Sequence, residues 1–222
     1  MNNDKGGDNM TDSRIARAVY RTEDGQFVTK YGADVLPDGI QTIDWQNSPF
    51  DRNRTVVSVA LPDTVTAVGD SAFSACEAME SIRLPEGLQA IGKRAFMHCQ
   101  SLTSIVIPST VTEIGPGAFM YCKALRSITI PGSVKWISRE AFLGCRALET
   151  VYIEEGVIAI HSSAFYECFG LMSISLRESL RSIGDYAFEG DLFVNMIVTP
   201  GSYAETYLKD KRMLYRLRHR HP

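Results

Sequence analysis

The dipeptide Ala-Phe recurs at a fixed interval of 23 residues, at Ala72-Phe73, Ala95-Phe96, Ala118-Phe119, Ala141-Phe142, Ala164-Phe165 and Ala187-Phe188. All five cysteines keep the same interval, at Cys76, Cys99, Cys122, Cys145 and Cys168. So do the apolar columns. One runs Val68, Ile91, Ile114, Ile137, Ile160, Ile183, and another runs Val59, Ile82, Ile105, Ile128, Val151, Ile174, with Ile197 assigned to its end. A third, Leu61, Leu84, Ile107, Ile130, Ile153, Leu176, is followed by proline in its first four copies. Six of ten phenylalanines and every cysteine share one register, which chance does not produce. A period of this length marks supersecondary units that cannot bury their own apolar faces alone and stack into a solenoid.

Within a unit, Ser104-Ile105-Val106-Ile107 alternates by two, so Ile105 and Ile107 point one way while Ser104 and Val106 point the other. Pro108 ends this run because it has no amide hydrogen to donate to a ladder. Val111, Ile114, Ala118 and Phe119 then bring the chain back to the start of the next unit. Successive units are expected about 4.8 Å apart, the spacing of hydrogen-bonded strands.

The segments Leu102-x-x-Ile105-x-Ile107 and Leu125-x-x-Ile128-x-Ile130 read as the core of a leucine-rich repeat. The full unit, L-x-S-I-x-I-P-x-x-V-x-x-I-G-x-x-A-F-x-x-C, resembles the BspA-type leucine-rich repeat of bacterial surface proteins over residues 56–215. The run Pro200-Gly201-Ser202-Tyr203-Ala204-Glu205-Thr206-Tyr207 is similar to that family's closing segment. Glu154 and Arg177 depart from the pattern by replacing the proline, Ser138 and His161 by replacing the glycine, and Asp191 by standing where a sixth cysteine would fall. Spacing and resemblance together predict an α/β fold, a leucine-rich-repeat solenoid with one short parallel strand per repeat and a tight or short-helical return. The resemblance further implies a cell-surface or secreted adhesion protein with host or matrix proteins as ligands.

Four regions follow from the pattern. Residues 1–13 are polar and expected as a disordered tail. Residues 14–55 are expected as an N-terminal capping hairpin and a degenerate repeat. In the hairpin, Val19 and Tyr20 face Phe27 and Val28 across Asp24-Gly25; in the degenerate repeat, Leu36-Pro37, Ile40 and Ile43 fit but the Ala-Phe is lost. Residues 56–198 form the solenoid. Residues 199–222 form a capping helix and a basic tail, with Ser202 as N-cap, an apolar stripe of Tyr203, Ala204, Tyr207 and Leu208, and a last strand-like contact from Met213-Leu214-Tyr215.

Catalytic and cofactor chemistry finds no footing. There is no phosphate loop, nucleophile elbow or H-E-x-x-H, and the four histidines, His98, His161, His219 and His221, have no ligand spacing. Zinc sites cluster their ligands, whereas these cysteines recur once per unit, which suits a column of small buried apolar thiols. No metal and no cofactor are expected. A net charge of -3 and the absence of a long apolar run point to neither nucleic acid nor membrane insertion. The basic run Arg216-Leu217-Arg218-His219-Arg220-His221 reads as a soluble end. The first 14 residues lack the apolar stretch of a signal peptide, so the chain as it stands reads as cytosolic while the resemblance implies export.

What remains is a surface for another protein. The outward column Ser58, Ser81, Ser104, Ser127, Thr150, Ser173 is uniform and suits stacking along a ladder. The next, Ala60, Arg83, Val106, Thr129, Tyr152, Ser175, varies in size and charge, which stacking does not require. Arg and Tyr are frequent hot-spot residues, so Arg83, Val106, Thr129, Tyr152 and Ser175, flanked by Glu154 and Arg177, form the candidate site. Tyr152 as the single aromatic of the column keeps a glycan-binding surface open as a rival reading, beside a cytosolic scaffold.

Overall fold

Each 23-residue unit alternates extended runs with sharp corners, and in the computed structural model it closes one turn of a three-sided solenoid. The structure describes residues 16–22, 24–190 and 194–218; the expectations for residues 1–13, Asp191, His219, Arg220 and His221 lie outside these. On the first side, Val56–Ala60 pairs with Ser81–Arg83, and Ser127–Ile130, Thr150–Ile153, Ser173–Leu176 and Asn195–Val198 pair in succession, all parallel. Their residues alternate between buried and outward, as a period of two requires.

The return is tight, and it carries a second strand. Thr42–Ile43, Ala67–Val68, Ala90–Ile91 and Glu113–Ile114 build one small parallel sheet, and Trp136–Ile137, Ala159–Ile160 and Ser182–Ile183 another. The third side is the Ala-Phe segment, where Phe73, Phe96, Phe119 and Phe142 donate to the alanine carbonyl of the next turn at 2.8 Å. Corners flank it on left-handed residues, such as Arg94 (φ 55°) and His98 (φ 62°) around Ala95-Phe96.

The column residues fill the solenoid axis. Phenylalanine rings stack from turn to turn at 5.0–5.7 Å between centroids, and the thiols lie beside them, buried and free. Cys99, Cys122, Cys145 and Cys168 each donate their S–H to a phenylalanine carbonyl of the preceding turn at 3.1 Å. Burial pushes the Cys99 and Cys145 thiols well above their ordinary pKa, so they stay protonated donors.

Three details differ from the sequence expectation. Phe50 keeps the aromatic column in the degenerate repeat, stacked on Phe73; only the alanine is lost, to Pro49, and the 23-residue spacing holds. Met196 rather than Ile197 takes the inward place after Ile174. The last interval is 22 residues, and a one-residue shift exchanges the faces of a strand. Ser104–Ile107 alternates as expected but does not join the ladder as a strand.

The first side is two sheets, and the outer end of each is closed by another pairing. Arg17–Arg21 forms an antiparallel hairpin with Phe27–Tyr31 and also pairs antiparallel with Val56–Ala60. At the far end, Tyr215–Leu217 pairs with Asn195–Val198, and the helix Tyr203–Asp210 buries Ala204 and Leu208 against the last turn. Its N-cap Ser202 accepts from the Glu205 amide at 3.3 Å, while the Glu205 carboxylate accepts from the Gly201 amide at 2.7 Å.

Candidate interaction surface

The outward residues of the first side fall in one row, in which register pairs Ala60 with Arg83 on one side of Val106, and Thr129 with Tyr152 and Tyr152 with Ser175 on the other. Parallel sheets are normally covered on both faces, and this one is open on its outer side. Val106 is 79% exposed and Tyr152 57%. Thr129 lies exposed between them in the row, and Ser175 is half-buried.

The charged members are engaged within the stack. The Arg83 guanidinium donates to the Leu61 carbonyl at 3.0 Å and lies 3.9 Å from Asp63. Arg177 donates from Nε to the Ile153 carbonyl at 3.0 Å, and Glu154 accepts from the Gly132 amide at 3.1 Å. Where the proline is missing, a side chain thus reaches back and holds the preceding turn. Half the surface of the Arg83 side chain remains accessible, so it also contributes to the open face.

The row is longer than the sequence indicated. Ile197 follows Ser175 and Arg216 follows Ile197, because of the 22-residue interval. Arg218 donates to the Ser175 hydroxyl, so the described part of the basic run lies across the end of the row. At the other end, Ala60 pairs with Arg17 and Arg17 with Tyr31, an extension that an antiparallel cap hides from any periodicity. Trp136 and Ile158 are also exposed on the second side, in columns otherwise filled by small or polar residues. A deviation from column type is the signal that would have found them.

The described residues also form an open recess of about 510 Å³ between the last turn and the helix, lined by Asp185, Tyr186, Glu189, Tyr207 and Lys211 among others. Among the described residues no three or more His, Cys, Asp and Glu side chains are grouped to hold a metal ion, and no helix is long and apolar enough to cross a membrane.

Comparison with known proteins adds three solved relatives. The BspA type leucine-rich repeat region matches this chain in 6 copies, over residues 41–155 and 89–207. A leucine-rich cell surface protein from Faecalibacterium prausnitzii is 32% identical with a TM-score of 0.65, covering 72% of this chain and 43% of its own. A leucine-rich repeat protein from Bacteroides ovatus is 26% identical with a TM-score of 0.64, covering 82% of this chain and 53% of its own. The leucine-rich repeat protein of T. pallidum is 26% identical with a TM-score of 0.66, covering 90% of this chain and 94% of its own. The chain therefore spans about half the length of the first two. No curated protein matches it.

Proposed function

The chain belongs to the BspA-type leucine-rich repeat family, and from that premise we propose that it is a non-enzymatic interaction module whose open sheet face binds a protein outside the cell. The carrying observation is the row through Val106, Thr129 and Tyr152, where varied side chains stand exposed, the last two on paired strands. Preordered strands lose little conformational freedom on binding, so contact area there converts well into affinity. Arg83 and Ser175 flank the centre of the row, and Glu154 and Arg177 stiffen its border. The relative from F. prausnitzii, described as a cell surface protein, supports an exported, adhesion-type role against host or matrix proteins.

Five free thiols favour a reducing setting and carry a second reading, a scaffold inside the cell. One experiment addresses both. Intact producing cells are treated with an external protease, and the purified chain is passed over immobilised extracellular-matrix proteins. Cleavage on intact cells with saturable matrix binding that Tyr152→Ala weakens agrees with the adhesion reading. A protected chain without matrix binding contradicts it.

A further inference from the structure

Two of the three bonded sides lapse around the turn of Ser104–Ile107, the first toward both neighbouring turns and the second only toward the following one. Among the described residues, the backbone of Ser104–Ile107 makes no ladder bond to Ser81–Arg83 or Ser127–Ile130. Only the entry is held, by Thr103 N–H to the Glu80 carbonyl at 3.3 Å and Arg126 N–H to the Thr103 carbonyl at 3.1 Å. On the second side, Glu113–Ile114 and Trp136–Ile137 end separate sheets. A bond repeats there from Gly69 to Ile43, Gly92 to Val68, Gly115 to Ile91, His161 to Ile137 and Gly184 to Ile160. Among the described residues it fails at Ser138. The Ala-Phe side continues unbroken through this level, with Phe96 bonded to Ala118 and Phe119 to Ala141 at 2.8 Å.

Two independent features mark the same level. Ile82, Leu84, Ile105 and Ile107 are 6–8% exposed, against 0–2% for their counterparts Ile128, Ile130, Val151 and Ile153. Successive phenylalanine rings are inclined by 10–16° from Phe50 to Phe119, and by 3–4° from Phe119 to Phe188.

Ser138 stands at the junction where the second side lapses. A Cβ placed on Gly115 would lie 2.6 Å from the backbone carbon of Gly92, and one on Gly92 would lie 2.6 Å from that of Gly69. Turns approach this closely because the column lacks side chains. Ser138 is the first residue in the column after these glycines to carry a Cβ, and there the bond is lost. His161 carries the next and keeps its bond at 2.9 Å, against 2.6–2.7 Å for the glycines. We propose that the solenoid is two rigid blocks meeting at this seam and hinged along the Ala-Phe side, with the Ser138 Cβ as the wedge that holds the seam open. The exposed row crosses the seam at Val106, so bending at the hinge changes the curvature of the surface between Arg83 and Tyr152.

Amide hydrogen exchange on the intact chain tests this without any partner. The amides of Ile105, Val106, Ile107 and Lys135 should exchange at least about tenfold faster than those of Ile128, Ile130 and Ile158. Ser138→Gly should slow the seam amides to the rate of these counterparts, while His161→Gly leaves them fast. Equal protection of both sets in the unaltered chain overturns the proposal, as does a seam that stays fast in S138G.

Discussion

The ring of Phe50 stacks on the ring of Phe73 at 5.0 Å between centroids, 23 residues apart, in a repeat where Pro49 replaces the alanine of the Ala-Phe pair. Both rings are fully buried. With Leu36 and Ile43, the Phe50 ring closes this end of the core, and Phe188 continues the same column at the other end. The stack of rings is the structural spine of the molecule.

Its mid-point sets the first prediction. Phe119 is stacked on Phe96 at 5.3 Å and on Phe142 at 5.2 Å, with no exposure. Phe119→Ala should cost about 3–5 kcal/mol, as for other buried aromatics, and Thr129→Ser on the open face should stay within about 0.5 kcal/mol. Denaturant midpoints of the two variants check this, and equal midpoints would reject the assigned register.

The thiols give the second. All five are buried and free, and each donates to a phenylalanine carbonyl of the preceding turn. A thiol reagent should find few groups in the native protein and all five after denaturation. Disulfides in protein purified without oxidant would contradict the column.

The third concerns pH at the C-terminal cap. The Lys209 ammonium, 2.7 Å away, and the Gly201 amide hold the Glu205 carboxyl below the usual carboxylate range. A lowered carboxyl pKa stabilises the fold fully above the unfolded value, about 4.3 for glutamate, and the contribution is lost as pH falls through the folded value. Melting temperatures of the unaltered chain and Glu205→Gln should differ at pH 7 and converge as the pH is taken below about 4. A gap that persists at pH 3 would remove Glu205 from the account.

The fold was legible because column identity repeats. Val59, Leu61, Val68, Phe73 and Cys76 each have counterparts 23 residues on, so their burial is announced many times over. The row of Arg83, Val106, Thr129, Tyr152 and Ser175 was legible for the same reason, as the column that varies. What periodicity missed lies where it fails. Arg17 and Tyr31 enter through an antiparallel hairpin, and Ile197 and Arg216 through a shortened interval. The tethering of Arg83, Glu154 and Arg177 to the preceding turn depends on side-chain reach, on which the repeat pattern is silent.

The central claim, that the open face is the binding surface, is tested most directly by the affinity of a captured protein partner for four forms of the chain. These are the unaltered chain, Tyr152→Ala, Val106→Ser, and Arg216→Ala combined with Arg218→Ala. Arg83→Ala is set aside because it also removes the bond to Leu61. Tyr152→Ala should weaken binding by tens of fold, equivalent to about 2 kcal/mol for a hot-spot aromatic, with an unchanged melting temperature. Val106→Ser should weaken it by less, and the double arginine variant by less still. A partner that ignores Tyr152 and Val106 but is lost with Arg216 and Arg218 would contradict the account and move the site to the C-terminal end.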